Sequence, residues 1–182
     1  PLPKAGENGQ FPLGNLVADA VRNAARADFS LMNNGGIRGA GLPAGDLTYA
    51  QLFEISPFQN NVVRVSLTGA QMRQVIEYGL KSGSPSIHVS GLTVRYDPAR
   101  PLGRRVVQMR LPNGRSVSDK ARYTLGTLDF LQLGGDGFSM LTPLPVELGF
   151  GVDVDGLLAY FQRLPQPIEA PEAPRIVPVG KH

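Results

Sequence analysis

The chain has 182 residues, 42% hydrophobic and 18% charged, which suffices for one domain with a substantial core and is cramped for two. Its net charge of +3 comes from basic residues scattered along the chain, with Arg104-Arg105 the one adjacent pair, so the clustered cationic footprint of a nucleic-acid binder is missing. There is no cysteine, which excludes disulfides and thiolate metal sites, and no segment approaches the roughly 18 consecutive apolar residues of a membrane span.

Pro1 is preceded by neither an initiator Met nor a charged and apolar leader, the pattern expected of a processed or excised piece. Over 15–26, Leu16, Val17, Ala20, Val21 and Ala24 recur at helical spacing, which predicts an amphipathic helix, and the apolar run over 29–32 predicts a strand. The glycine-rich loop Asn33-Asn34-Gly35-Gly36-Ile37-Arg38 follows directly. Glycines there permit positive φ and let the backbone approach a ligand, and Arg38 is suited to hold a phosphate or carboxylate through two parallel hydrogen bonds. Thr48-Tyr49-Ala50-Gln51 and Thr68-Gly69-Ala70-Gln71 both fit a capping box, predicting helices over 49–55 and 69–80. Pro57 ends the first of these, and Val62-Val63-Arg64-Val65-Ser66-Leu67 between them alternates like a strand.

Strand patterns then run over 89–96, 106–111 and 123–128, with Asn113-Gly114 as a hairpin-turn signal, and together they read as a mostly antiparallel meander. A second glycine loop, Gly134-Gly135-Asp136-Gly137-Phe138, comes after the last of them. A helix is expected over 154–164, with Leu157, Leu158, Phe161 and Leu164 on one face. Five prolines over 165–178 forbid its continuation and predict an extended tail that lies on the domain or leads out of it. The expected architecture is a single mixed α/β (α+β) domain over 1–164, helices packed on a mixed sheet whose C-terminal half is mostly antiparallel, followed by a proline-rich tail over 165–182.

Groups for catalysis are sparse. The two histidines are His88, expected to be a strand residue facing solvent or core, and His182 at the chain end. Asp153-Val154-Asp155-Gly156 lacks the later ligands of a calcium loop and reads as helix capping. No serine stands in a G-x-S-x-G elbow, and the glycines of Gly39-Ala40-Gly41-Leu42-Pro43-Ala44 do not open a long helix as a dinucleotide loop would. These residues describe a binder rather than a complete catalyst, with no cofactor site in this chain.

Four further segments join the two glycine loops: Leu13-Gly14-Asn15-Leu16-Val17-Ala18-Asp19-Ala20, Pro57-Phe58-Gln59-Asn60, Leu67-Thr68-Gly69-Ala70 and Asp129-Phe130-Leu131. In this order and at these spacings, from about Leu13 to Leu141, the chain resembles the C-terminal domain of the 5'-nucleotidases, the substrate-binding half of two-domain metallophosphoesterases. The resemblance implies that Phe58 and Phe130 clamp a nucleotide base between their rings and that Asn33 bonds the base. It also implies that Asp136 accepts from the ribose hydroxyls, that Arg38 holds the phosphate, and that Gly36 and Gly135 are loop positions of the binding site. A divalent metal pair, such as zinc or manganese, and an Asp-His catalytic pair would belong to an N-terminal metallophosphoesterase domain of the same polypeptide. This chain alone would then be inactive, and the whole protein would be periplasmic or extracellular.

One departure is visible. The further arginine that such proteins usually carry just upstream of the Leu-Gly-Asn helix start is missing from Gly6-Glu7-Asn8-Gly9-Gln10-Phe11-Pro12. From the residues alone, Phe58 and Phe130 also fit a core, Asp136 a turn cap and Arg38 a surface ion pair. Two other functions therefore stay open: a stand-alone ligand-recognition module, and an interaction domain whose clamp has collapsed.

Overall fold

The computed structural model describes residues 1–4, 6, 9–171 and 173–180; His182, and Glu7 and Asn8 of the stretch lacking the arginine, lie outside them. The first helical period forms α1 (Pro12–Ala25), with proline in its first turn, where a missing N–H leaves no bond unmade, and Arg26 closing it at φ 49°. The apolar run after it is β2 (Phe29–Asn33), buried along its whole length. Both capping boxes form, Thr48 starting α2 (Tyr49–Ile55) and Thr68 starting α3 (Gly69–Gly79), each threonine hydroxyl accepting from the glutamine N–H three residues on.

The main sheet has five strands in the order β5 (Ile87–Ser90), β2, β8 (Arg122–Leu128), β4 (Val62–Thr68), β9 (Val146–Glu147). Strands β2 and β8 are parallel, with Phe29 opposite Leu125, and every other pairing in this sheet is antiparallel. Alternation sends Phe29, Leu31, Val63, Val65 and Leu67 to one face, onto Met72, Val75 and Ile76 of α3. That face is shared with a three-stranded sheet, ordered β10 (Ile176–Pro178), β6 (Thr93–Tyr96), β7 (Val106–Arg110). Met32, Val62 and Leu128 point the other way, into a second core with α1, α2 and α5 (Asp153–Phe161). Each such buried side chain contributes about 1.5–3 kcal/mol. Gly126 lets α1 approach the sheet closely, since a Cβ there would stand 2.7 Å from the Cβ of Ala25. A short ribbon of β1 (Leu2–Pro3) and β3 (Gly41–Leu42) and the single turn α4 (Asp129–Gln132) complete the elements. Among the described residues no helix is long and apolar enough to cross a membrane.

Three local expectations change. The strand expected over 89–96 is two strands in different sheets, parted at Gly91 (φ 79°), where any side chain would collide with the Asp28 carbonyl. The strands are mostly antiparallel, as expected, but they do not form a meander: β5 returns to β2, and β8 inserts between β2 and β4. The Asn113-Gly114 turn does reverse the chain, with Leu111 N–H donating to the Arg115 carbonyl at 2.8 Å, yet the returning segment makes only an isolated bridge between Ser116 and Arg110.

The proline-rich segment lies on the domain. Asn15 Nδ2 donates to the carbonyls of Pro171 and Ala173, and both guanidinium NH2 groups of Arg175 meet the Asp19 carboxylate at 2.7 Å. Ile176 is buried, and β10 runs parallel to β6 with Ile176 opposite Val94.

Candidate functional site

Parallel pairing of β2 and β8 sends the chain out of both strands at the same sheet edge, so the loops over 33–38 and 129–138 leave side by side. Strand β4 runs antiparallel to β8 with Val62 opposite Leu128, so the segment over 56–61 enters β4 at that edge too. Three segments distant in sequence therefore meet outside the carboxyl ends of two strands, a usual place for ligands in α/β sheets. They enclose a cleft of about 400 Å³.

Asn33, Gly36, Arg38, Phe58, Phe130 and Asp136 all line this cleft. Phe58 and Phe130 are 53% and 43% exposed, so neither ring belongs to a core, and among the described residues the two rings do not stack on each other. Phe58 lies just beyond α2, in a turn where Gln59 takes φ 51°. Phe130 sits in the first turn of α4, where Asp129 Oδ1 accepts from its N–H at 2.8 Å. The two phenylalanine-bearing segments are tied together: Asn61 Nδ2 donates to Asp129 Oδ2 at 2.8 Å, and Asp129 N–H donates to the Asn61 carbonyl at 2.9 Å.

Gly135 does not line the cleft. It lies beneath Phe130, where a Cβ would stand 2.6 Å from two ring carbons, so the absence of a side chain leaves the ring its place. Gly35 and Asn60 line the cleft as well and were not singled out as site residues from the sequence. The signal available for them was adjacency, since Gly35 lies inside the first glycine loop and Asn60 two residues beyond Phe58.

Arg38 is exposed, and its N–H donates to the Ile55 carbonyl at 2.8 Å, which anchors the loop to the end of α2. Its guanidinium carbon lies 5.7 Å from the centroid of Phe58, and among the described residues it forms no ion pair. Asn33 is buried and donates through Nδ2 to Asp136 Oδ2 at 2.6 Å, joining the two glycine loops across the cleft floor. Its Oδ1 is tucked under Gly36, where a Cβ would come within 2.6 Å, and among the described residues it has no hydrogen-bond partner. The cleft thus combines two apolar ring faces with one guanidinium and one carboxylate, and among the described residues no serine, cysteine or histidine lines it.

His88 faces the core behind the first loop. Its Nε2 accepts from Phe11 N–H at 3.0 Å, which leaves Nδ1 protonated to donate to Asn34 Oδ1 at 2.8 Å. Burial pushes its pKa down to about 3, so the ring is neutral and braces the loop through Asn34, whose Nδ2 donates to the Gly9 carbonyl at 2.8 Å. Asp153 is the first residue of α5 rather than its cap: the cap position is Val152, which makes no side-chain cap bond, and Asp153 Oδ1 accepts from the adjacent Val154 N–H. Among the described residues no three histidines, aspartates or glutamates come together in a group that could hold a metal ion.

Residues 3–143 match the family model described as "5'-nucleotidase, C-terminal domain". The chain is 36% identical over 125 residues to Endonuclease YhcR of Bacillus subtilis (strain 168), covering 68% of this chain and 10% of that protein. It is 31% identical over 158 residues to Protein UshA of Escherichia coli (strain K12), covering 85% of this chain and 28% of that protein. Among solved structures, the 5'-nucleotidase precursor from Thermus thermophilus superposes with a TM-score of 0.86 at 28% identity, over 98% of this chain and 38% of that one. The chain therefore spans between about a tenth and two fifths of the length of these relatives. On the match over most of its length, the chain belongs to the family of 5'-nucleotidase C-terminal domains.

Proposed function

We propose that this domain binds the nucleotide for a 5'-nucleotidase-type phosphohydrolase. The base stacks between Phe58 and Phe130, the ribose diol donates to the Asp136 carboxylate, and Arg38 binds the phosphate. Asn33, set in the cleft floor, orients Asp136 and contacts the base edge. The carrying observation is that Asn33, Gly36, Arg38, Phe58, Phe130 and Asp136 converge on one cleft, with two half-exposed rings that nothing among the described residues covers. Stacking is indifferent to base identity because every base has a π face, so the domain binds nucleotides broadly.

On this reading, hydrolysis falls to a metal pair held by residues outside this chain. The chain's own part is to bind, orient and shield the nucleotide while its phosphate faces that centre. On this reading the isolated chain binds without hydrolysing, and the whole protein works in the periplasm or outside the cell. Calorimetric titration with adenosine, AMP and a UDP-sugar tests it, with Phe58→Ala as control. Saturable binding lost in the variant supports the clamp, and ligand-independent heats identical in both proteins refute it.

A further inference from the structure

Behind the second glycine loop lies a contact that the nucleotide reading leaves unused. Gly134, Asp136 and Gly137 have φ of 95°, 53° and 85°, so Asp136 holds a left-handed backbone that residues with side chains rarely adopt. Such backbone persists where the surroundings over-determine it. Part of the restraint is within the loop, where Gly137 N–H donates to the Gly134 carbonyl and Phe138 N–H to the Gly135 carbonyl, both at 3.1 Å. The rest comes from α3 and the turn after it. Tyr78 Oη donates to the Asp136 carbonyl at 3.0 Å, and Lys81 Nζ donates to Tyr78 Oη at 2.8 Å.

The tyrosine is itself well held. Its ring packs edge-on against buried Phe138, with centroids 4.9 Å apart, and Lys81 Nζ lies 4.2 Å from its centroid. A side chain at Gly137 would collide with the tyrosine hydroxyl, so the glycine leaves room for that contact. The ammonium polarises the hydroxyl and makes it a stronger donor to the carbonyl. Fixing that carbonyl fixes the peptide plane after Asp136, and with it the direction from which the carboxylate meets Asn33 Nδ2 in the cleft.

We propose that Tyr78, backed by Lys81, is a positioning residue for the ligand: it holds Asp136 so that the carboxylate accepts from both hydroxyls of a vicinal diol. It thereby sets the preference for ribose over deoxyribose ligands without touching either. The proposal rests on the nucleotide reading above.

The test uses Tyr78→Phe, which removes the hydroxyl and keeps the ring on Phe138. The 182-residue chain and this variant are titrated with adenosine and with 2',3'-dideoxyadenosine, and amide exchange is followed at Gly137 and Phe138. Affinity for adenosine should fall about fivefold, the scale of one hydrogen bond, with dideoxyadenosine unaffected and both amides exchanging faster. Lys81→Met should shift the same ligand ratio in the same direction by less. Equal losses for the two ligands, or an unchanged preference for adenosine, would overturn the positioning role. A wild-type chain with no preference for adenosine, including one that binds neither ligand, would instead sink the diol role of Asp136 and the proposal with it, so the two failures are distinct.

Discussion

Asn61 and Asp129 are joined by two hydrogen bonds, one from the asparagine side chain to the carboxylate at 2.8 Å and one from the aspartate N–H to the asparagine carbonyl at 2.9 Å. Because Phe58 and Phe130 lie on the segments these residues join, the pair sets the spacing of the two rings. Asn61→Ala removes the side-chain bond and should cost about 1 kcal/mol of stability. Adenosine affinity should drop by more than the melting curve implies for an unrelated surface change, since ring spacing loosens. Calorimetry and thermal unfolding on one preparation check both.

Phe130→Ala and Arg38→Ala should separate the two halves of the ligand. Loss of a stacking face should weaken adenosine and AMP alike, by roughly tenfold or more. Arg38 forms no ion pair among the described residues, so Arg38→Ala should leave adenosine binding nearly intact and weaken AMP alone. Equal losses for both ligands in Arg38→Ala would count against its phosphate role.

Gly135→Ala places a methyl group 2.6 Å from ring carbons of Phe130 and 2.5 Å from its carbonyl oxygen. The ring must move toward the cleft. The backbone at Phe130 must shift as well, so adenosine binding should fall about tenfold and the urea midpoint should drop with it. A binding constant equal to wild type would show that the ring has slack.

His88 makes stability depend on pH. Its pKa falls from 6.5 to about 3 on folding, so between these values the unfolded chain binds more protons than the folded one. Stability from this group is complete above the higher value and is lost as pH falls toward the lower, by up to about 1.4 kcal/mol per pH unit. Urea midpoints followed from neutral to acid pH should show this decline, and His88→Gln should flatten it. Since the folded ring stays neutral over this range and keeps its bond to Asn34, ligand affinity should hold as long as the domain remains folded.

Asp19 and Arg175 pin the C-terminal segment to α1. Asp19→Ala leaves a guanidinium mostly shielded from solvent with, among the described residues, only the Asn15 and Val89 carbonyls to accept from it, and should destabilise the domain by about 3 kcal/mol. Faster proteolysis after Ile168 should accompany it, with the cleft residues unaffected.

The elements that could be read locally were those with local causes. Helices α2 and α3 start at Thr48 and Thr68 because a hydroxyl and a glutamine three residues on satisfy backbone groups within one turn. The break at Gly91 was not legible, because it is enforced by the Asp28 carbonyl far away in sequence. The motif residues of the site were likewise legible in the chain, but not what lies behind them. Gly135 beneath Phe130, Tyr78 on Asp136 and Asn61 on Asp129 are contacts between elements, and periodicity carries no information about them.

By itself the sequence determined the helix starts, the apolar faces, the absence of thiol chemistry and the two glycine loops with their single charged residues, because each depends on side chains within a few positions. Only the tertiary structure decided that those loops share a cleft. The reason is the insertion of β8 beside β2, a parallel pairing between residues almost a hundred positions apart, with Phe29 opposite Leu125. Long-range register of this kind is set by burial of both sheet faces together, and no local pattern encodes it.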